Sequence, residues 1–158
     1  YITWLAEQRI TLGCAENLFC PDSPVTRGQM ASFLVRAFGL PQAESDRFTD
    51  IAGSVHEADI NALAARGITF GCSIDRFCPD DPVTRAQMAS FLVRTLILPF
   101  GPDLFGDDEG SLHEADINAL AQAGVTLGCA PLQYCPDAAV TRAEMATFLF
   151  RSFNPVRS

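Results

Sequence analysis

The stretch FCPDSPVTRGQMASFLVR, Phe19 to Arg36, returns as FCPDDPVTRAQMASFLVR from Phe77 to Arg94 and as YCPDAAVTRAEMATFLFR from Tyr134 to Arg151. Each copy carries the punctuation of a helix start. Thr26-Arg-Gly-Gln29, Thr84-Arg-Ala-Gln87 and Thr141-Arg-Ala-Glu144 read as capping boxes, in which the Thr hydroxyl accepts from a backbone N–H and the Gln or Glu reaches back to the cap. Val25, Val83 and Val140 precede the cap, and Met30, Met88 and Met145 occupy the fourth helical position, which is the spacing of a hydrophobic staple. Met30, Phe33, Leu34, Ala37 and Phe38 continue at helical spacing and define a core face. One residue resists this architecture. Arg27, Arg85 and Arg142 put a cation at the first helical position, where the positive end of the helix dipole opposes it.

Outward from this stretch, the whole chain is a repeat. Cys14, Cys72 and Cys129 recur 58 and then 57 residues apart, and each begins the same C-x5-C unit, completed by Cys20, Cys78 and Cys135. A period of this length marks stacked supersecondary units. Parity and repetition make three disulfides within the repeats the first reading, with thiolate metal ligation as the alternative; His56 and His113 lie far from the Cys and complete no zinc-like spacing. Disulfides imply an oxidising compartment and hence a secreted or cell-surface protein. Phe19, Phe77 and Tyr134, each beside a second Cys, are expected to fold inward as lids.

A first helix precedes each Cys loop. Ser54-Val-His-Glu57 and Ser111-Leu-His-Glu114 fit a capping box, Ile60 with Leu63 and Ile117 with Leu120 line one face, and Gly67 and Gly124 supply a left-handed stop. The spacing predicts helices over Ser54–Arg66 and Arg85–Leu96 in the second repeat, and over Ser111–Ala123 and Arg142–Phe153 in the third. The first repeat opens inside its first helix, at YITWLAEQ, as expected of an excised or mature piece, and carries Arg9 where the others carry the stop glycine.

Composition narrows the functional classes. With 158 residues, 48% of them hydrophobic, the chain can bury a sizeable core. No run approaches the roughly 18 to 20 apolar residues of a membrane span. A net charge of -8 argues against a general polyanion-binding surface and thus against nucleic acid. All 11 basic residues are Arg, so any anion would be met by planar guanidinium groups. No nucleophile elbow or phosphate-binding glycine loop is present, and no acid pair can be placed across a sugar bond, so no enzyme is expected. Asp22, Asp80, Asp81 and Asp137 read as turn chemistry before a helix, and no metal is expected.

In their order, these residues resemble the S-layer homology domain family: F-x-D at Phe48 and Phe105, an I-x-x-L helix running into G-I-T or G-V-T, a Gly-led loop ending in F-x-P or Y-x-P, and V-T-R followed by Ala and Gln or Glu. The resemblance implies an all-α fold of three tandem helix-loop-helix repeats, over residues 1–41, 42–99 and 100–158. Together they would form one pseudo-threefold, three-pronged spindle around a central three-helix bundle. It implies a non-catalytic anchor at the bacterial cell surface, without cofactor or membrane insertion, binding an anionic cell-wall polysaccharide that can be pyruvylated. Carried over by position, the ligand contacts are Arg27, Arg85 and Arg142, with Thr26, Thr84 and Thr141 beside them. A carboxylate there would gain from backbone N–H groups at the helix start and from the guanidinium. The competing role for these Arg is pairing with Asp22, Asp80 or Asp137. The competing function is a protein-interaction module of a surface layer or filament. Arg36, Arg94 and Arg151, at the other end of the same helices, read as partners of the dipole. The family's aromatic at the start of the first helix is Val55 in the second repeat and Leu112 in the third.

Overall fold

A Thr hydroxyl opens each of three twelve-residue helices. The computed structural model describes residues 1–45 and 47–156, and all its regular elements are helices: α1 (Ile2–Glu7), α2 (Arg27–Phe38), α3 (Glu57–Ala65), α4 (Arg85–Leu96), α5 (Glu114–Gln122) and α6 (Arg142–Phe153). The chain is all-α. Both halves of the capping box form at α2, α4 and α6. Val25, Met30, Val83, Met88, Val140 and Met145 are all fully buried beneath these helix starts.

The first helices begin later than their sequence suggests. The Ser54 Oγ accepts from the His56 N–H, and the Glu57 carboxylate accepts from the Gly53 N–H, so the reciprocal bonds close a turn ahead of α3. The helix itself starts at Glu57, after His56 as its cap, and α5 repeats this with Ser111, His113 and Glu114. At the other end, Gly67 and Gly124 take the expected left-handed conformation, and Arg9 is forced into it at φ 57°.

The three disulfides form as Cys14–Cys20, Cys72–Cys78 and Cys129–Cys135. Inside each, the first Cys donates its N–H across the loop, to Leu18, Arg76 or Gln133. Phe77 and Tyr134 are fully buried as the lids they were expected to be, and Phe19 is half-buried.

The closest helix pairs are α2 with α3, α4 with α5, and α6 with α1. Each long helix therefore packs on the short helix of the following repeat, and the third repeat returns to the first. Backbone bonds repeat that order: Val83 donates to Val25, Val140 to Val83 and Val25 to Val140, at 2.8 to 2.9 Å. These three bonds form a closed ring. The core extends through the ring and the helix pairs, from Leu5 and Leu34 to Leu92 and Leu149.

Candidate functional site

The Arg at the first helical position is a clamp between repeats. Arg27, Arg85 and Arg142 are only 4, 4 and 5% exposed. Each Nε donates to a backbone carbonyl of the next repeat, at the aromatic residue before its second Cys: Arg27 to Phe77 (2.7 Å), Arg85 to Tyr134 (2.8 Å) and Arg142 to Phe19 (2.7 Å). Each guanidinium also stacks on that ring and on a Phe of the next long helix. Its centre lies 4.7 to 4.9 Å from Phe77, Tyr134 and Phe19, and 5.4 to 5.6 Å from Phe91, Phe148 and Phe33. A desolvated cation on an aromatic face is worth about 2 kcal/mol, enough to outweigh the dipole penalty of about 0.3–1 kcal/mol. The helix architecture therefore does explain these Arg, through the neighbouring repeat.

The N–H groups expected to greet a carboxylate are already committed. Arg27 donates its backbone N–H to Asp81, Gly28 to Pro79, and Gln29 to the Thr26 hydroxyl. The same three bonds form at α4 and α6, through Ala138 and Pro136 and through Ser23 and Pro21. A helix start with its donors spent is no anion cradle. Thr26, Thr84 and Thr141 act as caps.

The competing role of the clamps, pairing with Asp22, Asp80 or Asp137, forms no ion pair among the described residues. Arg85 pairs instead with Glu144, Nη1 to Oε1 at 3.1 Å, and Arg76 lies 3.6 Å from Asp50. Arg142 spends Nη2 on the Thr11 hydroxyl at 3.3 Å, and Nη2 of Arg27 is buried without a partner among the described residues. Burial pulls the Arg27 and Arg142 guanidinium groups below their ordinary range, opposed at Arg27 by the charges of Asp81 and Asp50. Both stay cationic at any physiological pH.

Two grooves of about 280 Å³ open beside the clamps. One is lined by Arg142, Gln29, Ser32, Arg36 and His56, with the Thr11–Cys14 turn as its wall. The other is lined by Arg85, Glu144, Thr147, Phe148 and Arg151, with Thr126, Gly128 and Cys129 as its wall. The Arg at the far end of the long helix thus faces the same groove as the clamp, a role that the dipole reading missed. Its signal was present in the sequence, since Gln29, Ser32 and Arg36 fall on one helical stripe. Arg94 departs from the pair: it reaches the Ile68 carbonyl at 3.4 Å and stacks at 5.0 Å on Phe70, an exposed ring. Val55 and Leu112 are exposed and aliphatic, so Phe70 is the solvent-facing ring of this region and another residue that motif spacing did not single out.

Ser32, His56 and Asp59 come together, as do Ser90, His113 and Asp116. The Ser hydroxyl lies 2.7 to 2.8 Å from the His Nδ1 and gives its proton to the Asp carboxylate. That order is wrong for nucleophilic catalysis, which needs the imidazole between the other two. The Ser is also buried, and burial foremost pulls both imidazoles below their usual value. These are helix-to-helix ties. Asp107 lies near Cys129 and Cys135, but both sulfurs are committed to a disulfide.

Fold and grooves define a class: a disulfide-pinned, ring-closed helical repeat module with arginine-bearing clefts. The S-layer homology domain model matches two stretches of the chain, residues 1–31 and 47–89. It is 35% identical over 95 residues, 60% of its length, to an endoglucanase of Bacillus sp. (strain KSM-635). Over 96% of its length it is 26% identical to an S-layer protein of Bacillus thuringiensis subsp. finitimus and 28% identical to the S-layer protein sap of Bacillus anthracis. The chain spans 10% of the endoglucanase and 19% of each of the two S-layer proteins. No helix among the described residues is long and apolar enough to cross a membrane.

Proposed function

We propose that the chain is a non-catalytic anchor holding its protein at the bacterial cell surface, by binding an anionic cell-wall polysaccharide in the grooves between repeats. The observation that carries this reading is the Arg142 groove, where Arg36 and the clamp share one cleft with hydroxyl and amide groups. Two guanidinium groups suit a carboxylate on a sugar, such as a pyruvate ketal, and the hydroxyl and amide groups suit the sugar itself. Similarity both to S-layer proteins and to an endoglucanase supports an anchor that is independent of what it carries. The units would be residues 1–41, 42–99 and 100–158, and other surface-layer subunits would be neighbours on the wall.

Replacing all three clamps by Ala would unsettle the fold, so the decisive comparison varies the wall. The protein should sediment with purified cell wall and stay in solution with wall from which the anionic polymer has been extracted. Equal sedimentation with both would overturn the anchor reading and favour a protein-interaction module.

A further inference from the structure

Asp108 lines neither groove, and in the second repeat a buried isoleucine, Ile51, fills its place. The fold therefore accepts an apolar residue there, and a buried acid carries a cost that the repeat architecture does not offset. Only 1% of Asp108 is exposed, and both its carboxylate oxygens lack a hydrogen-bond partner among the described residues. The charges that face it are also negative: Asp103 foremost, then Glu114 and Asp107. None of these four acids is in an ion pair among the described residues.

The segment that brings Asp103 to this point is built into the third repeat. Asn118, 4% exposed, accepts the Leu104 N–H at Oδ1 (3.1 Å) and extends Nδ2 toward Asp103 Oδ1 at 3.4 Å. Gly101 lets the same segment lie against α5, since a Cβ there would collide with the Asn118 carbonyl oxygen. At the matching position of α3, Oδ1 of Asn61 is buried without a partner among the described residues, so the second repeat lacks this docking. Asp107 commits both oxygens to the Tyr134 and Cys135 N–H groups, and Glu114 commits Oε2 to the Gly110 N–H. Both oxygens of Asp108, one of Asp103 and one of Glu114 are left for a ligand.

We infer that Asp108, Asp103 and Glu114 form a calcium site at the head of the third repeat, which ties the docked segment to the turn before α5. This goes beyond the anchor reading and does not depend on it. A set of carboxylate oxygens suits a hard cation, and calcium takes about six to eight oxygens in flexible geometry, with water completing the shell. The carboxylates stand further apart than ligands of one ion do, as like charges must. Binding closes that spacing by rotation of the exposed Asp103 and half-buried Glu114 side chains around the buried Asp108.

Calcium alone, titrated into the protein by calorimetry, should bind at one site with a Kd of about 0.1–1 mM, the range of extracellular modules. At tenfold excess over Kd it should raise the thermal midpoint by roughly 3–5 °C relative to chelator. Asp108→Ile takes the second repeat's residue, so it should fold and lose both effects. Glu16→Gln, which removes an exposed charge elsewhere, should keep both. Terbium in the same site gives a local readout, because the Tyr134 ring lies within reach of the Asp108 charge and should sensitise the emission. Tyr134→Phe, the residue type at positions 19 and 77, should lose that emission and keep the calcium-dependent midpoint. No calcium binding by the parent protein up to about 10 mM, or equal binding by Asp108→Ile, overturns the inference. Terbium emission that persists in Tyr134→Phe overturns it too, since the ion then sits elsewhere.

Discussion

Asp108 is the residue least at ease in the molecule. It is 1% exposed, and neither carboxylate oxygen has a hydrogen-bond partner among the described residues. Burial foremost, and then Asp103, Glu114 and Asp107, raise its pKa above the ordinary carboxylate range. The equivalent position of the second repeat is Ile51, also buried. A raised acid favours folding only in its protonated form, so the cost is absent below the unfolded value of about 3.9 and builds as pH climbs through the folded value. Asp108→Ile should stabilise by about 1–3 kcal/mol at pH 7, and the gain should shrink as the pH falls toward 4, read from denaturant midpoints across pH. Asp50 and Asp107 behave oppositely. Desolvation at each is outweighed by two N–H donors from the aromatic and second Cys of the loop, with Arg76 or Arg85 adding to the effect, and the pKa falls. The F-x-D motif was legible in the sequence. Its job, pinning the Cys loop, was not, because the donors lie 27 and 28 residues away.

At the scale of the element, the sequence spoke most clearly where a helix satisfies its own ends. The bounds of α4 and α6 follow from capping box, staple and apolar stripe, all local signals. The start of α3 did not, because Ser54 and Glu57 serve equally well in a turn, and the Gly53 N–H takes the carboxylate that would have closed the helix. Helix ends show where sequence and conformation disagree. Ile97 caps α4 at φ 54°, the position that Gly39 fills after α2, and Arg9 holds φ 57° where Gly67 and Gly124 stand in the other repeats. A left-handed L-residue costs roughly 1–2 kcal/mol, partly offset by the extra freedom glycine brings to the unfolded chain. Ile97 is largely exposed and loses little packing. Ile97→Gly and Arg9→Gly should each stabilise by about 1 kcal/mol, seen as a higher thermal midpoint.

For the molecule as a whole, three repeats were plain from Cys spacing, whereas their closure was implied by the family resemblance and by no local signal. Nothing local reveals that Arg142 seeks Phe19, because that contact spans 123 residues. The same distance makes the clamp a test of cooperativity. Lys cannot reproduce the Nε bond or the planar stacking, so Arg142→Lys should cost about 1.5–3 kcal/mol. In calorimetry the loss should fall on one transition that includes all repeats, and a separate early melting of the third repeat alone would contradict it. The valine ring has a further consequence, for how such a protein can grow. In an open stack the last unit offers bonding groups to a newcomer, so copies can be added one at a time. Here Val25, Val83 and Val140 each give one hydrogen and receive one, and the cycle has no loose end. A fourth copy would find no vacancy to join, and gene duplication could enlarge this module only by delivering another complete set of three.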